Sequence, residues 1–227
     1  MCMTVLAANV QDPKAAGTGS RWGVADGVAK GLLAVLLLFA LTHSDWDRFS
    51  DKAMIARAVA YPLLIAIVPT VWYARAVRAR RAGRVASAYP ALVALLVTMP
   101  FVIDVGGNAL DLYDRIDVFD DVCHFGNWAL LCSAVGVALL SRPVALPGWV
   151  VGSLCIGFGA TTAVLWEIAE YGAFVTHTPE RYTLYRDTMG DLTLGLAGSI
   201  AAGLACVVAA RRANSRRPDL EFAPGSP

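Results

Sequence analysis

Six long apolar runs, at about 24–42, 54–75, 89–110, 120–140, 148–173 and 188–210, are parted by short polar connections. Each approaches the roughly 20 residues that an α-helix needs to cross the hydrocarbon core of a bilayer, whereas a soluble helix would show one apolar stripe and one polar face. The pattern predicts an all-α polytopic membrane protein, a bundle of about six transmembrane helices. An even number of crossings returns both termini to one side. The expected organisation is a polar amino tail over 1–22, a single membrane domain over 23–210, and a tail over 211–227 that is first basic and then rich in Pro and Gly.

Within the runs, several features read as packing. Gly195, Ser199 and Gly203 make a small-residue stripe on the sixth span, and Gly148 and Gly152 make another on the fifth, the pattern that lets helix backbones approach closely. Pro62 and Pro69 are expected to kink the second span. Trp46, Trp72, Tyr73, Trp149 and Trp166 fall near predicted span ends, as an aromatic belt would. No internal repeat or inverted half points to a transporter fold.

Composition agrees with the pattern. Apolar residues make up 57% of the 227 and charged residues only 16%, against the roughly 25% charged of a soluble domain; the mean hydropathy is +0.56. A net charge of +1, with no basic groove and no aromatic RNA-binding motif, gives no reason to expect nucleic acid, so the expected partners are membrane lipids. Cys2, Cys123, Cys132, Cys155 and Cys206 are widely spaced, which argues against a disulfide framework or a zinc knuckle. Residues 1–22 lack a basic segment followed by an apolar stretch and a cleavage site, so no removable signal peptide is expected.

The placement of basic residues predicts orientation, because Lys and Arg flanking a span are retained in the cytoplasm. One side collects twelve: Lys14, Arg21, Arg75, Arg78, Arg80, Arg81, Arg84, Arg142, Arg211, Arg212, Arg216 and Arg217. The other collects five: Arg48, Lys52, Arg115, Arg181 and Arg186. Both termini are therefore expected in the cytoplasm of a bacterial inner membrane, and the outer face, with Asp45, Asp47, Asp51, Asp111, Asp114, Asp117 and Glu180, is acidic. Lys30, one turn after Asp26, reads as a paired lysine snorkelling to the cytoplasmic edge.

Charged groups inside a span cost about 2.5–3.5 kcal/mol each at mid-helix, so they normally face the bundle interior with a partner. Asp104 and Asn108 share a face of the third span, one turn beyond Pro100. Asp120, Asp121, His124 and Asn127 stack at the start of the fourth. Glu167 and Glu170 lie near the outer end of the fifth, and Asp187 and Asp191 one turn apart at the start of the sixth. The topology puts all four stripes at the extracytoplasmic end, where the simplest arrangement is convergence. Asp120, Asp121 and Asp187 also suit helix N-termini, whereas Asp191 and Asp104 lie too far along their helices for that. A converging cluster needs compensation from protons, from a metal cation, or from Arg115, Arg181 and Arg186.

Tyr113, the run His124-Phe125-Gly126, the stretch Trp166-Glu167-Ile168-Ala169-Glu170-Tyr171 and the stretch Asp187-Thr188-Met189-Gly190-Asp191-Leu192 leading into Gly195 occur in an order and spacing that resemble the YjdF-like family of bacterial inner-membrane proteins. The resemblance covers about residues 85–210 and implies a six-helix membrane protein without an assigned substrate or reaction. More distantly the chain is similar to VanZ-like proteins, in which an Asp stands four residues before a His-Phe pair, as Asp120 does here before His124-Phe125. Thr-Leu-Gly stands where an Asn often precedes the glycine of that family's last motif.

Three functions compete. In the first, Asp120, His124, Glu167, Glu170, Asp187 and Asp191 hold a divalent cation (Mg, Mn or Zn) that activates water or a phosphoryl group on a lipid-linked or envelope substrate. His124, Glu170 and Asp191 then carry the chemistry, Arg181 and Arg186 steer an anionic head group, and Asp104, Asn108 and Asn127 support the site. In the second, the same acids form a proton relay in a coupled transporter, which needs a polar path continuing toward the cytoplasm; the first two spans offer little for it. In the third, the cluster locks helix packing in a structural or lipid-binding module. The chain has no Gly-x-Ser-Gly, His-Glu-x-x-His or Asp-Gly-x-x-Ala-Arg signature.

Overall fold

The computed structural model describes residues 16–50, 52–142, 144–173 and 184–215. Among them run seven helices: α1 (Ala16–Thr42), α2 (Met54–Arg81), α3 (Ala91–Ala109), the single turn α4 (Leu112–Arg115), α5 (Phe119–Leu140), α6 (Gly148–Ala173) and α7 (Leu184–Ser215). Six are long and apolar enough to cross a membrane, and all but α4 correspond to a predicted span. Two differences are informative. The second span does not stop near residue 75, and the sixth runs beyond 210. Their arginines continue the helices past the apolar stretch, since Arg is a good helix former with a stem long enough to reach the interface. The first helix begins at Ala16, inside the stretch expected to be tail.

Local chemistry sets the boundaries. α3 starts directly after Pro90, whose fixed φ suits a helix entrance. α2 ends in a Schellman motif: Gly83 adopts φ +65°, its N–H bonds the Arg80 carbonyl at 3.0 Å, and the Arg84 N–H bonds the Ala79 carbonyl at 2.8 Å. α2 remains helical across both Pro62 and Pro69.

The bundle has two packed groups joined where α3 meets α5. α5, α6 and α7 form one around Cys132, Val151, Cys155, Ala202, Cys206 and Ala210. Its close contacts depend on small residues: a Cβ at Gly198 would strike the backbone carbonyl of Phe125, one at Gly195 would lie 2.7 Å from the Trp128 ring, and one at Gly203 would lie 3.2 Å from the Gly152 carbonyl. α1, α2 and α3 form the other group around Leu33, Leu37, Tyr61, Phe101 and Val105, with Trp166 of α6 packed against it. Large apolar side chains such as Val28, Leu38, Ile55, Leu63, Trp149, Ile168 and Leu204 point outward, as lipid-facing positions must. α3 is the most enclosed span and α2 the least.

Candidate functional site

Asp104, near the last turn of α3, is only 9% exposed. Its carboxylate is fully engaged: Nε of Arg57 on α2 donates to Oδ2 at 2.9 Å, the Tyr61 hydroxyl donates to the same oxygen, and the Tyr113 hydroxyl donates to Oδ1 at 3.1 Å. Arg57 also donates to the Lys52 carbonyl, and Asn108 Nδ2 donates to the Asp104 carbonyl at 3.0 Å. Burial, reinforced by the neighbouring Asp104 carboxylate, holds the Tyr113 phenol well above its ordinary pKa, so it stays a donor. An ion pair with this many charge-assisted hydrogen bonds offsets the cost of taking both charges out of water.

The second assembly is built on His124, one turn into α5. Nε2 of the imidazole lies 3.7 Å from Oδ1 of Asp120, one turn earlier, and 3.5 Å from Oδ1 of Asp191 on α7. Nδ1, on the other edge of the ring, lies 4.0 Å from Oε1 of Glu167 on α6. The side chains of His124, Glu167 and Asp191 are each 12% exposed or less, while Asp120 is half-open. One ligand atom from each of Asp120, His124 and Asp191 falls within 4.8 Å of the others. Three helices thus converge on one imidazole, with two carboxylates at one ring nitrogen and a third at the other.

Glu170 is partly buried one turn beyond Glu167, near enough to Arg57, Asp120 and Asp104 to feel their charges. Asp187 is exposed but within range of Asp191. Arg186 is exposed, and Arg181 lies outside the described residues. Arg115 pairs with Asp111 at 3.1 Å and points largely into solvent, away from the cluster it was expected to neutralise. The charge that compensates Asp104 is Arg57. The sequence carries a signal for it, since an arginine in an apolar run, four residues before a tyrosine, calls for an acid on a neighbouring helix. Asn127 lines the next turn of α5, and its Oδ1 is buried with no hydrogen-bond partner.

A separate polar group occupies the opposite end of α3. Lys30 Nζ lies 2.5 Å from Asp26 Oδ2 on α1; the Tyr89 hydroxyl is 3.1 Å from each of them, and Thr98 Oγ1 reaches Asp26 Oδ1 at 3.4 Å. Asp26 is 4% exposed while the Lys30 side chain is 26% exposed, so the lysine is paired with Asp26 and keeps a partly open head, and α1 supplies more interior polarity than the sequence suggested. Burial keeps the Tyr89 phenol above its usual pKa.

Residues 29–212, most of the chain, match the profile of a family described as "Predicted membrane protein (DUF2238)". No curated protein and no solved structure matches the chain significantly.

Proposed function

Starting from a chain that belongs to the DUF2238 family of predicted membrane proteins, which takes in the YjdF-like proteins its motifs resemble, we propose that it is a metal-dependent hydrolase or transferase acting on a lipid-linked or envelope substrate. One observation carries the reading: a single imidazole nitrogen faces two carboxylates from two helices at 3.5 and 3.7 Å. Two ligands each about 2.0–2.2 Å from one ion stand at most about 4.4 Å apart, so these separations suit a shared cation with small side-chain adjustment. Asp120, His124 and Asp191 would hold it. An oxygen-rich set with one imidazole favours Mn or Mg and accommodates Zn. Such an ion lowers the pKa of bound water and polarises a phosphoryl or ester oxygen.

The remaining side chains take roles from position. Glu167 faces the far ring nitrogen, where a carboxylate fixes the Nδ1–H tautomer and leaves the Nε2 lone pair for the metal. Glu170, beside the metal set, is the candidate base. Asp187 and Arg186 lie exposed about one turn before Asp191, and Arg186, with Arg181 from the preceding stretch of sequence, would meet an anionic head group. The excess of basic residues around the opposite connections supports a bacterial cytoplasmic membrane, with this pocket on the outer side and both termini in the cytoplasm.

Metal analysis of the purified protein tests the proposal, paired with lipid profiling of a strain lacking the gene. Near-stoichiometric Mn, Mg or Zn that disappears in Asp191→Ala supports it. Absence of metal in the wild type after growth in metal-replete medium, with an Asp191→Ala phenotype indistinguishable from wild type, overturns it. A second reading, proton-coupled transport, draws on the Asp26–Lys30–Tyr89–Thr98 network, which puts buried ionisable groups at the other end of α3. Proton flux in vesicles that is abolished by Asp26→Asn would favour it.

A further inference from the structure

α2 changes character along one face. At about 100° per residue, Leu63, Ile67 and Val71 project roughly 140–220° round the helix from Ala76, the position that its last turns bury against the bundle. All three are exposed. Arg75, Arg78 and Arg81 fall about 260°, 200° and 140° from Ala76 on the same count, so they continue that outward face, and each of them is exposed too. The change from apolar to basic takes one turn, between Val71 and Arg75. A phospholipid standing beside the helix changes in the same order, from acyl chain to phosphate.

Depth and charge point the same way. Trp72 and Tyr73, residues of the kind that settle at the interface, lie at the changeover. From Arg75 to Arg81 the helix rises about 9 Å, enough to cross the roughly 5–8 Å of head-group layer on each side of the hydrocarbon core. Asp51 and Asp104 bound a stretch of sequence without a single acid, and among the described residues none of these three arginines forms an ion pair. Like charges one turn apart repel, so an anion set among them is favoured. The helix dipole favours cations in the last turn, which covers Arg78 and Arg81 but not Arg75. The row is also held in place: the helix closes at Gly83, the Trp72 indole donates to the Ser87 carbonyl at 2.9 Å, and the Trp72 ring meets Tyr89 edge-on at 5.4 Å. Charges carried on a fixed helix cost less to order on binding than charges on a loose tail.

We propose that Arg75, Arg78 and Arg81 bind the phosphate of an anionic phospholipid whose acyl chain lies along Val71, Ile67 and Leu63. Guanidinium groups donate to phosphate oxygens in pairs, which gives the contact direction as well as charge. A zwitterionic lipid brings the same phosphate, but its own ammonium cancels the charge, so the row discriminates between the two. The site occupies the end of α2 away from Arg57 and Asp104, and it stands independently of any chemistry at His124.

The test titrates the full-length protein, in a neutral detergent, with phosphatidylglycerol or phosphatidylcholine of identical chains, and counts bound lipid by native mass spectrometry. The expected result is a phosphatidylglycerol site that phosphatidylcholine fills about tenfold more weakly. Replacing Arg75, Arg78 and Arg81 together by Gln should weaken phosphatidylglycerol about ten- to a hundredfold, the product of a few-fold for each exposed charge pair, and leave phosphatidylcholine where it was. Arg78→Gln alone, at the centre of the row, should cost a few-fold. A control that replaces Arg142, Arg211 and Arg212 by Gln removes the same charge from other elements and should keep the preference. Phosphatidylglycerol binding unmoved by the triple variant in a protein with wild-type melting overturns the proposal, as does an equal loss in the control, which would make the effect one of overall charge. Displacement of phosphatidylglycerol by an equal concentration of inorganic phosphate or of a glutamate-rich peptide also overturns it, in favour of a soluble anion or an acidic protein.

Discussion

Arg57 on α2 places its Nε 2.9 Å from Oδ2 of Asp104 on α3, across 47 residues of sequence. The pair satisfies a carboxylate that would otherwise face the His124 pocket uncompensated, and it divides the polar end of the bundle into a neutralised half and a half that still carries unbalanced acids.

Removing one partner of that pair should therefore cost more than removing both. Arg57→Leu is expected to destabilise the protein by about 3–5 kcal/mol, because it strands a buried carboxylate, while the double variant Arg57→Leu with Asp104→Leu recovers much of the loss. Thermal unfolding of the four proteins in one detergent gives the coupling energy; additive single effects would contradict the closed pair.

In the half proposed to hold a metal, ligand loss should separate from fold loss. His124→Ala and Asp191→Asn are expected to reduce bound metal to background, with a melting temperature matching that of the wild type stripped by chelator. Restoring metal to the stripped wild type should stabilise it by about 2.7 kcal/mol at a hundredfold excess over Kd. A wild-type melting temperature indifferent to chelator and to added Mn or Zn would argue against a resident cation.

Glu167 lies at the other ring nitrogen, and its effect should be graded. Glu167→Gln is expected to weaken metal affinity about 10–100-fold without abolishing binding, the usual consequence of altering a partner that orients a ligand. Isothermal titration with Mn on wild type and variant measures this; complete loss would make Glu167 a direct ligand.

Two glycines on the same helix pair should respond oppositely to a methyl group. At Gly198 an added Cβ collides with the Phe125 backbone carbonyl, which cannot swing away, whereas at Gly126 it enters open space. Gly198→Ala is expected to lower yield and melting temperature sharply and Gly126→Ala to leave both near wild type, as size-exclusion profiles and melting curves would record.

The sequence was most legible where one physical constraint dominates. Hydrocarbon thickness fixes the length of a span, so all six were visible as runs, while their helices run on past the apolar stretch where arginines extend α2 and α7 and where α1 begins at Ala16. Helical spacing put Asp120 with His124 and Glu167 with Glu170, and the helix order put Asp191 at the same end; the structure brings Asp120, His124, Glu167 and Asp191 together. Pairing across helices was not legible. Nothing in spacing says that Arg57 selects Asp104, because that choice depends on which faces of α2 and α3 meet, whereas the pairing of Arg115 with Asp111 is one that a spacing of four residues allows. The role of Tyr61 was hidden for the same reason, since a tyrosine in an apolar run reads as bulk until a carboxylate is found against its hydroxyl, and Tyr113, legible as part of a motif, gave no sign that its partner is Asp104.

The two prolines of α2 give that span a mechanical character. Each removes a backbone N–H, freeing the carbonyls of Ala58 and Ile65, the residues four positions earlier. The helix is fastened on either side of this softened stretch, by Arg57 to Asp104 and by the Trp72 indole to the Ser87 carbonyl at 2.9 Å. α2 is thus a flexure clamped at both ends. A bend in α2 would be taken up between Pro62 and Pro69, where the backbone ladder is weakest, and would leave the ionic clasp on α3 in place.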